Sequence, residues 1–133
     1  MEPMTSGRAG AVRSDRKEPN MLSQNEQEVL TRGDIVQAYK LVGEYKIYLE
    51  WANDYQFVKF RIYERPDGRF EFEQSHYIKT PDQASHYVTS RTAENDADYA
   101  LKRGVGTIMD YYSLAVQKGQ QPKKTWFVPN KDF

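Results

Sequence analysis

Two neighbouring runs rich in aromatic and β-branched residues, 45–52 and 55–64, constrain the fold more than any other feature of the chain. Asn53 and Asp54 separate them, and a short polar pair between two strand-like runs predicts a β-hairpin. The predicted cross-strand pairs are Trp51 with Gln56, Leu49 with Val58, Ile47 with Phe60, and Tyr45 with Ile62. One face of the hairpin is then apolar almost throughout, so this register also predicts which face covers the core.

A third strand is expected at 69–78, after a turn at Pro66-Asp67-Gly68 whose glycine can adopt the left-handed conformation. The predicted pairs between the second and third strands are Phe72 with Ile62, Glu73 with Arg61, and Glu71 with Tyr63. The three strands form an antiparallel meander, and Leu49, Phe60 and Phe72 are expected to be buried on its core face.

Shorter elements are expected around the meander. Ser23 and Glu26 form a capping-box pattern that predicts a helix over about 24–31. Residues 34–42 fit either a second short helix or a strand, and the helix is favoured. Residues 84–90 are expected to form a fourth, edge-like strand or an extended connection.

A long helix is predicted from about Thr92 to Lys118, with Gly119 as its stop. Its apolar stripe at helical spacing consists of Ala97, Leu101, Val105, Ile108, Tyr112 and Ala115. Gly104 and Gly106 lie beside this stripe and would allow close approach to the sheet. The apolar segment 125–128 is expected to pack back on the body. The fold class is therefore α+β: a meander of three to four strands packed against one long C-terminal helix, with a short N-terminal helix.

The composition predicts one domain over 21–133, preceded by a disordered tail over 1–20, because the tail is too poor in apolar residues to support a core. Lys+Arg and Asp+Glu are both 19, so no overall charge draws the chain to nucleic acid or to an anionic membrane. The absence of cysteine excludes disulfides and thiolate chemistry. With no long apolar run and no secretory signal, a cytoplasmic protein without membrane contact is expected.

No catalytic pattern stands out, and neither an enzymatic activity, a metal site nor a cofactor is expected. The two histidines, His76 and His86, have no spacing that brings them together with a carboxylate. The acidic cluster Glu94, Asp96 and Asp98 is interpreted as complementing the helix dipole in the first turns of the long helix.

The face of the meander opposite the core, called the outward face here, is the candidate binding surface. Its predicted binding residues are Lys46, Tyr48, Tyr55, Phe57, Lys59, Arg61, Tyr63 and Tyr77. A second aromatic face must be covered by something. The candidates are another part of the chain (the N-terminal helix or Trp126-Phe127), a protein partner or second copy, and single-stranded nucleic acid stacked on the rings.

Acidic residues on the same face favour a protein partner over single-stranded nucleic acid as the cover. Glu50, Glu71 and Glu73 would pair with the basic residues and repel phosphate. The sequence therefore favours a non-enzymatic binding or adaptor domain that acts through protein contacts, with a homodimer as one form of such contact. A single-stranded nucleic-acid-binding module that uses the same face is the alternative.

Overall fold

The computed structural model describes residues 22–89 and 93–133. Its helices and strands are α1 (Gln24–Leu30), β1 (Lys40–Trp51), β2 (Asp54–Glu64), β3 (Phe70–Gln74), β4 (His76–Ile78), β5 (Ala93–Glu94), α2 (Ala97–Gln117), a 3-10 turn (Lys124–Trp126) and β6 (Phe127–Pro129). The predicted tail over 1–20 lies outside the described residues, so its disorder stays a prediction.

The predicted fold class is confirmed. Four antiparallel strands form one sheet in the order β1-β2-β3-β5, and α2 packs on one face of it. The N-terminal helix has the predicted capping box: Ser23 Oγ accepts from the Glu26 N–H at 3.0 Å, and Glu26 Oε1 accepts from the Ser23 N–H at 2.9 Å.

The predicted hairpin forms, but its predicted register is wrong by two residues. Trp51 pairs with Asp54, Leu49 with Gln56, and Ile47 with Val58. The turn residues are therefore 52 and 53. Asn53 adopts a positive φ of 63°, a conformation that Asn tolerates better than most residues. A shift of two residues leaves every side chain on its predicted face, since the side-chain period of a strand is two.

The predicted register between β2 and β3 is confirmed in full. Ile62 pairs with Phe72, and the two flanking pairs also agree with the prediction. The expected third strand of 69–78 is instead divided at Ser75 into β3 and β4, and β4 pairs with β6 in a separate two-stranded sheet. At the break, the Ser75 hydroxyl accepts the Lys59 N–H at 2.8 Å in place of the Ser75 carbonyl, which accepts from the Asn130 N–H instead.

The structure decides between the alternatives left open for two segments. Residues 34–39 are irregular and residues 40–42 begin β1, so the favoured helix over 34–42 is wrong. Residues 84–89 form no strand, whereas the fourth strand of the sheet is the two-residue β5, which pairs with β3.

The long helix starts later than predicted because Asp96 caps it. Its carboxylate accepts the Tyr99 N–H at 2.7 Å. Glu94 consequently lies on β5 rather than in the first helical turn. It is buried and paired with Arg103 of α2. The predicted role as a complement to the helix dipole therefore applies to Asp98, which is in the first turn.

The core lies between α2 and the central strands. Phe60, Ile62 and Phe72 are buried there against the predicted stripe of α2. Leu49 was expected to be buried but is only partly so, because it lies on the edge strand β1, whereas α2 packs mainly on the neighbouring strands β2 and β3 and on β4.

The C-terminal segment packs back on the body as predicted. Trp126 and Phe127 are buried in the core cluster on the helix side, and β6 hydrogen-bonds to β4. No helix in the described part of the chain has the length and apolarity needed to cross a membrane.

Candidate binding surface

The strand register brings most of the predicted binding residues together on the outward face. β1 and β2 place Tyr48 directly opposite Phe57 and Glu50 opposite Tyr55. The ring of Tyr48 lies 6.1 Å from that of Tyr55 and 6.4 Å from that of Phe57, centroid to centroid. Tyr48 and Tyr55 remain 56% and 51% exposed. Three aromatic rings thus form a continuous patch that is open to solvent.

Two lysines lie over this patch. Lys46 Nζ is 4.6 Å from the centroid of Phe57 and 5.3 Å from that of Tyr48, and Lys124 Nζ is 5.3 Å from the centroid of Tyr55. These distances are within the range of cation–π attraction. We call Lys46, Tyr48, Tyr55, Phe57 and Lys124 the aromatic–lysine cluster.

Lys59 lies directly opposite Lys46 in the β1–β2 register. Like charges in opposed positions are destabilising in a sheet. Neither ammonium group forms an ion pair with any acidic side chain in the described ranges. The pair therefore offers two adjacent positive charges to an acidic group from outside the chain.

Arg61 is less available than the sequence suggested. Its Nε donates to Glu44 Oε2 at 3.2 Å, and its guanidinium lies 4.0 Å from the centroid of the Phe133 ring. The hydrogen bond to Glu44 raises the pKa of Arg61 above its ordinary value. This end of the outward face is thus partly covered by the chain's own C-terminal segment.

Tyr63 is engaged in a similar way. Its hydroxyl donates to Glu73 Oε1 at 2.9 Å, and the ring of Tyr39 meets it edge-on at 5.9 Å. Burial, followed by the hydrogen bond to Glu73, raises the pKa of the Tyr63 hydroxyl. The segment before β1 therefore partly covers the outward face beside Tyr63.

Tyr77 does not join the aromatic–lysine cluster. It lies on β4, in the second sheet, and stacks on His86 with centroids 4.8 Å apart and planes inclined by 22°. The break at Ser75 separates it from the outward strands. A meander with an unbroken third strand, as the sequence predicted, would have kept it with them.

His76 joins the edge of the cluster, which the sequence did not predict. Its ring meets Phe57 edge-on at 5.8 Å, its Nδ1 lies 2.8 Å from Ser75 Oγ, and its Nε2 lies 3.4 Å from Gln56 Nε2. Burial lowers the pKa of His76 from its ordinary 6.5. A neutral imidazole also suits the amide group that faces Nε2, since that nitrogen can then accept a hydrogen bond.

The predicted cover by Trp126 and Phe127 is wrong. Trp126 and Phe127 lie on the core side and leave the outward face open, whereas Phe133, which the sequence did not single out, covers Arg61. Lys124 was also missed. The only signal in the sequence was a lysine pair, residues 123 and 124, before the apolar segment 125–128. No pattern in the neighbouring sequence indicates that Lys124 lies beside Tyr55 in the fold.

Some acidic residues near the outward face contact the aromatic–lysine cluster and others are held away from it. Glu71 pairs with Arg65 at 3.0 Å, and Glu73 accepts the Tyr63 hydroxyl. Close to the cluster, Glu50 lies opposite Tyr55, and Asp54 is 3.8 Å from Lys124. The cluster therefore combines three aromatic rings and two lysines with Glu50 and Asp54 beside them, while Glu71 and Glu73 are engaged elsewhere.

Within residues 22–89 and 93–133, no group of three or more histidine and acidic side chains is arranged to hold a metal ion. A scan against protein-family models found no match, and searches of curated proteins and of solved structures found no significant similarity.

Proposed function

We propose that the protein is a non-enzymatic binding domain that holds a protein partner on its outward face. The observation that supports this most directly is the aromatic–lysine cluster, in which exposed tyrosines are surrounded by lysine side chains. Aromatic residues supply much of the binding energy in protein interfaces when a partner desolvates them.

The chemistry of the cluster favours a partner with both apolar and acidic groups. Tyr48, Tyr55 and Phe57 would be buried beneath apolar side chains of the partner. The opposed ammonium groups of Lys46 and Lys59 would bind a carboxylate, which removes the repulsion between them.

Single-stranded nucleic acid is the second candidate, and one observation favours it. Glu71 and Glu73 are held by Arg65 and Tyr63, so they repel a phosphate near the cluster less than the sequence suggested. Base stacking, however, would bring phosphates close to the rings. Glu50 lies opposite Tyr55 and Asp54 is 3.8 Å from Lys124, and their repulsion of phosphate ranks the protein partner first.

The test is binding of the immobilised protein to its native extract, with and without nuclease. Tyr55→Ala should weaken capture by about 30-fold if Tyr55 is an interface hot spot of about 2 kcal/mol. Tyr99→Ala is the matched control, because Tyr99 is 46% exposed but lies on α2. Tyr99→Ala should bind like the wild type.

Three results would contradict the protein-partner proposal. One is equal capture by the two variants, which would remove the outward face from the interaction. The others are loss of all binding after nuclease treatment and a steep fall in affinity with salt. Both of these are expected of phosphate contacts and would promote the nucleic-acid alternative.

A further inference from the structure

β1 is a long edge strand with an open side. It spans twelve residues, and within residues 22–89 and 93–133 β2 alone pairs with it. An edge strand presents every second backbone N–H and C=O to solvent and is a template for another strand. Edges are usually protected by proline, by short strands, by bulges or by charged side chains, which repel a like-charged neighbour but attract an oppositely charged one. β1 contains no proline, and its one irregularity lies between Leu41 and Gly43, so the remaining nine residues form a regular edge.

The core-side residues of β1 are also incompletely covered. Tyr45 is 44% exposed, and Ile47 and Leu49 are only partly buried, whereas Val58 and Phe60 on the adjacent strand are fully buried. The cause is the reach of α2, which packs on β2, β3 and β4. A strand added beside β1 would bury these side chains further.

We propose that two copies of this chain pair through their β1 edges, antiparallel, about a two-fold axis at Tyr48. An axis perpendicular to the sheet keeps both core faces on the same side and generates a self-complementary interface. The resulting pairs are Tyr48 with Tyr48, Ile47 with Leu49, Lys46 with Glu50, and Tyr45 with Trp51. Each unlike pair occurs twice.

This register combines matched charge with matched burial. Lys46 and Glu50 are both on the outward side and would form two cross-strand ion pairs, which is favourable for directly opposed residues. On the core side, the partly covered apolar residues of one copy meet those of the other.

Neighbouring registers are less favourable. An axis at Lys46 places the two lysines opposite each other, and an axis at Ile47 places Glu44 opposite Glu50. An axis at Tyr45 also gives opposite charges, but its pairing reaches the irregularity at the start of β1 after a few residues. Among these four axes, charge and strand regularity together favour the axis at Tyr48.

Such a dimer would join two four-stranded sheets into one continuous sheet and place two aromatic–lysine clusters side by side. The inference does not rest on the proposed function, because edge pairing requires no other partner. It would, however, engage Lys46 of the aromatic–lysine cluster with Glu50 of the second copy.

Sedimentation equilibrium of the purified protein tests the dimer. From micromolar to hundreds of micromolar, the wild-type mass should rise from 15.6 kDa towards twice that value. Lys46→Glu and Glu50→Lys each replace two attractive pairs by two repulsive ones, so each should weaken dimerisation by about tenfold or more.

The double variant Lys46→Glu/Glu50→Lys restores opposite charges and should recover the dimer. Lys102→Glu is the control, because it makes the same charge change at an exposed position of α2, away from β1. A wild-type protein that stays monomeric throughout, a double variant that dimerises no better than the single variants, or an equal effect of Lys102→Glu would each overturn the proposal.

Thiol cross-linking tests the register. The chain has no cysteine, so Tyr48→Cys introduces a single thiol next to the axis, where oxidation should give a covalent dimer. Tyr45→Cys places the two thiols about 20 Å apart, six strand positions, and should cross-link far less. Equal cross-linking of the two variants would refute pairing about Tyr48.

Discussion

Gly104 offers a direct measure of how closely α2 approaches the sheet, with Gly106 as its control in the same helix. A Cβ added at Gly104 would lie 3.1 Å from Phe72 Cδ2 and 3.3 Å from Phe60 Cδ1, two buried rings of the core. At Gly106 the nearest atom is Asp110 Oδ2 at 3.4 Å, an ordinary contact on the far side of the helix from the sheet. The predicted close approach therefore applies to Gly104 and not to Gly106.

Both alanine variants gain helix propensity of about 0.8–1.0 kcal/mol. Gly106→Ala should realise this gain and stabilise the protein by about 1 kcal/mol. Gly104→Ala must also displace the two rings, and overpacking of a well-packed core costs roughly 1–3 kcal/mol. We expect a net destabilisation of about 1 kcal/mol, and a difference between the two variants of about 1–3 kcal/mol.

Urea denaturation followed by tryptophan fluorescence measures both free energies of unfolding, since Trp126 is buried in the core. The slope of the free energy of unfolding against urea concentration should be the same for both variants, so the midpoints report stability alone. If Gly104→Ala stabilised the protein as much as Gly106→Ala, close packing of Gly104 on Phe60 and Phe72 would not be a constraint, and the reasoning would be refuted.

Two further predictions concern the strands. Phe60→Ala should destabilise the protein by about 3–5 kcal/mol, because Phe60 is fully buried. Lys59→Ala, at the adjacent position on the outward face, should change stability by less than about 0.5 kcal/mol in the same denaturation assay, and similar losses for both would contradict the assigned faces. His76, whose folded pKa lies below the 6.5 of the free side chain, binds protons more weakly folded than unfolded. The free energy of unfolding should therefore fall as pH drops below about 6.5, and His76→Gln should remove that part of the pH dependence. Stability curves of the two proteins that remain parallel between pH 7 and 5 would show that His76 is not the group responsible.

Much of the fold could be predicted from local sequence patterns. Ser23 and Glu26 form the capping box that their spacing predicts, and the stripe of α2 from Ala97 to Ala115 faces the core. Both succeed because the interactions involve residues three or four apart in one helix. The turn at Pro66-Asp67-Gly68 similarly determines the register of β2 and β3, since a short turn leaves one pairing.

The hairpin between β1 and β2 illustrates the limit of such patterns. Alternation along the strands predicts which face is buried, but a slip of two residues preserves that alternation. Alternation therefore predicted the buried and outward faces correctly but the turn residues wrongly. The register depends on which residue adopts a positive φ in the turn, and that residue is Asn53. The apolar residues at 35–42 were equally uninformative, because a short run fits a helix or a strand until its neighbours are known.

The sequence by itself determined that the chain has an aromatic outward face with lysines on it, because alternation places Lys46, Tyr48 and Phe57 on one side. Only the tertiary structure decided which part of that face stays open. Phe133 covers Arg61, Lys124 approaches Tyr55, and the break at Ser75 removes Tyr77. The physical reason is that these contacts join residues distant along the chain, and their geometry depends on how the helix, the two sheets and the C-terminal segment pack together.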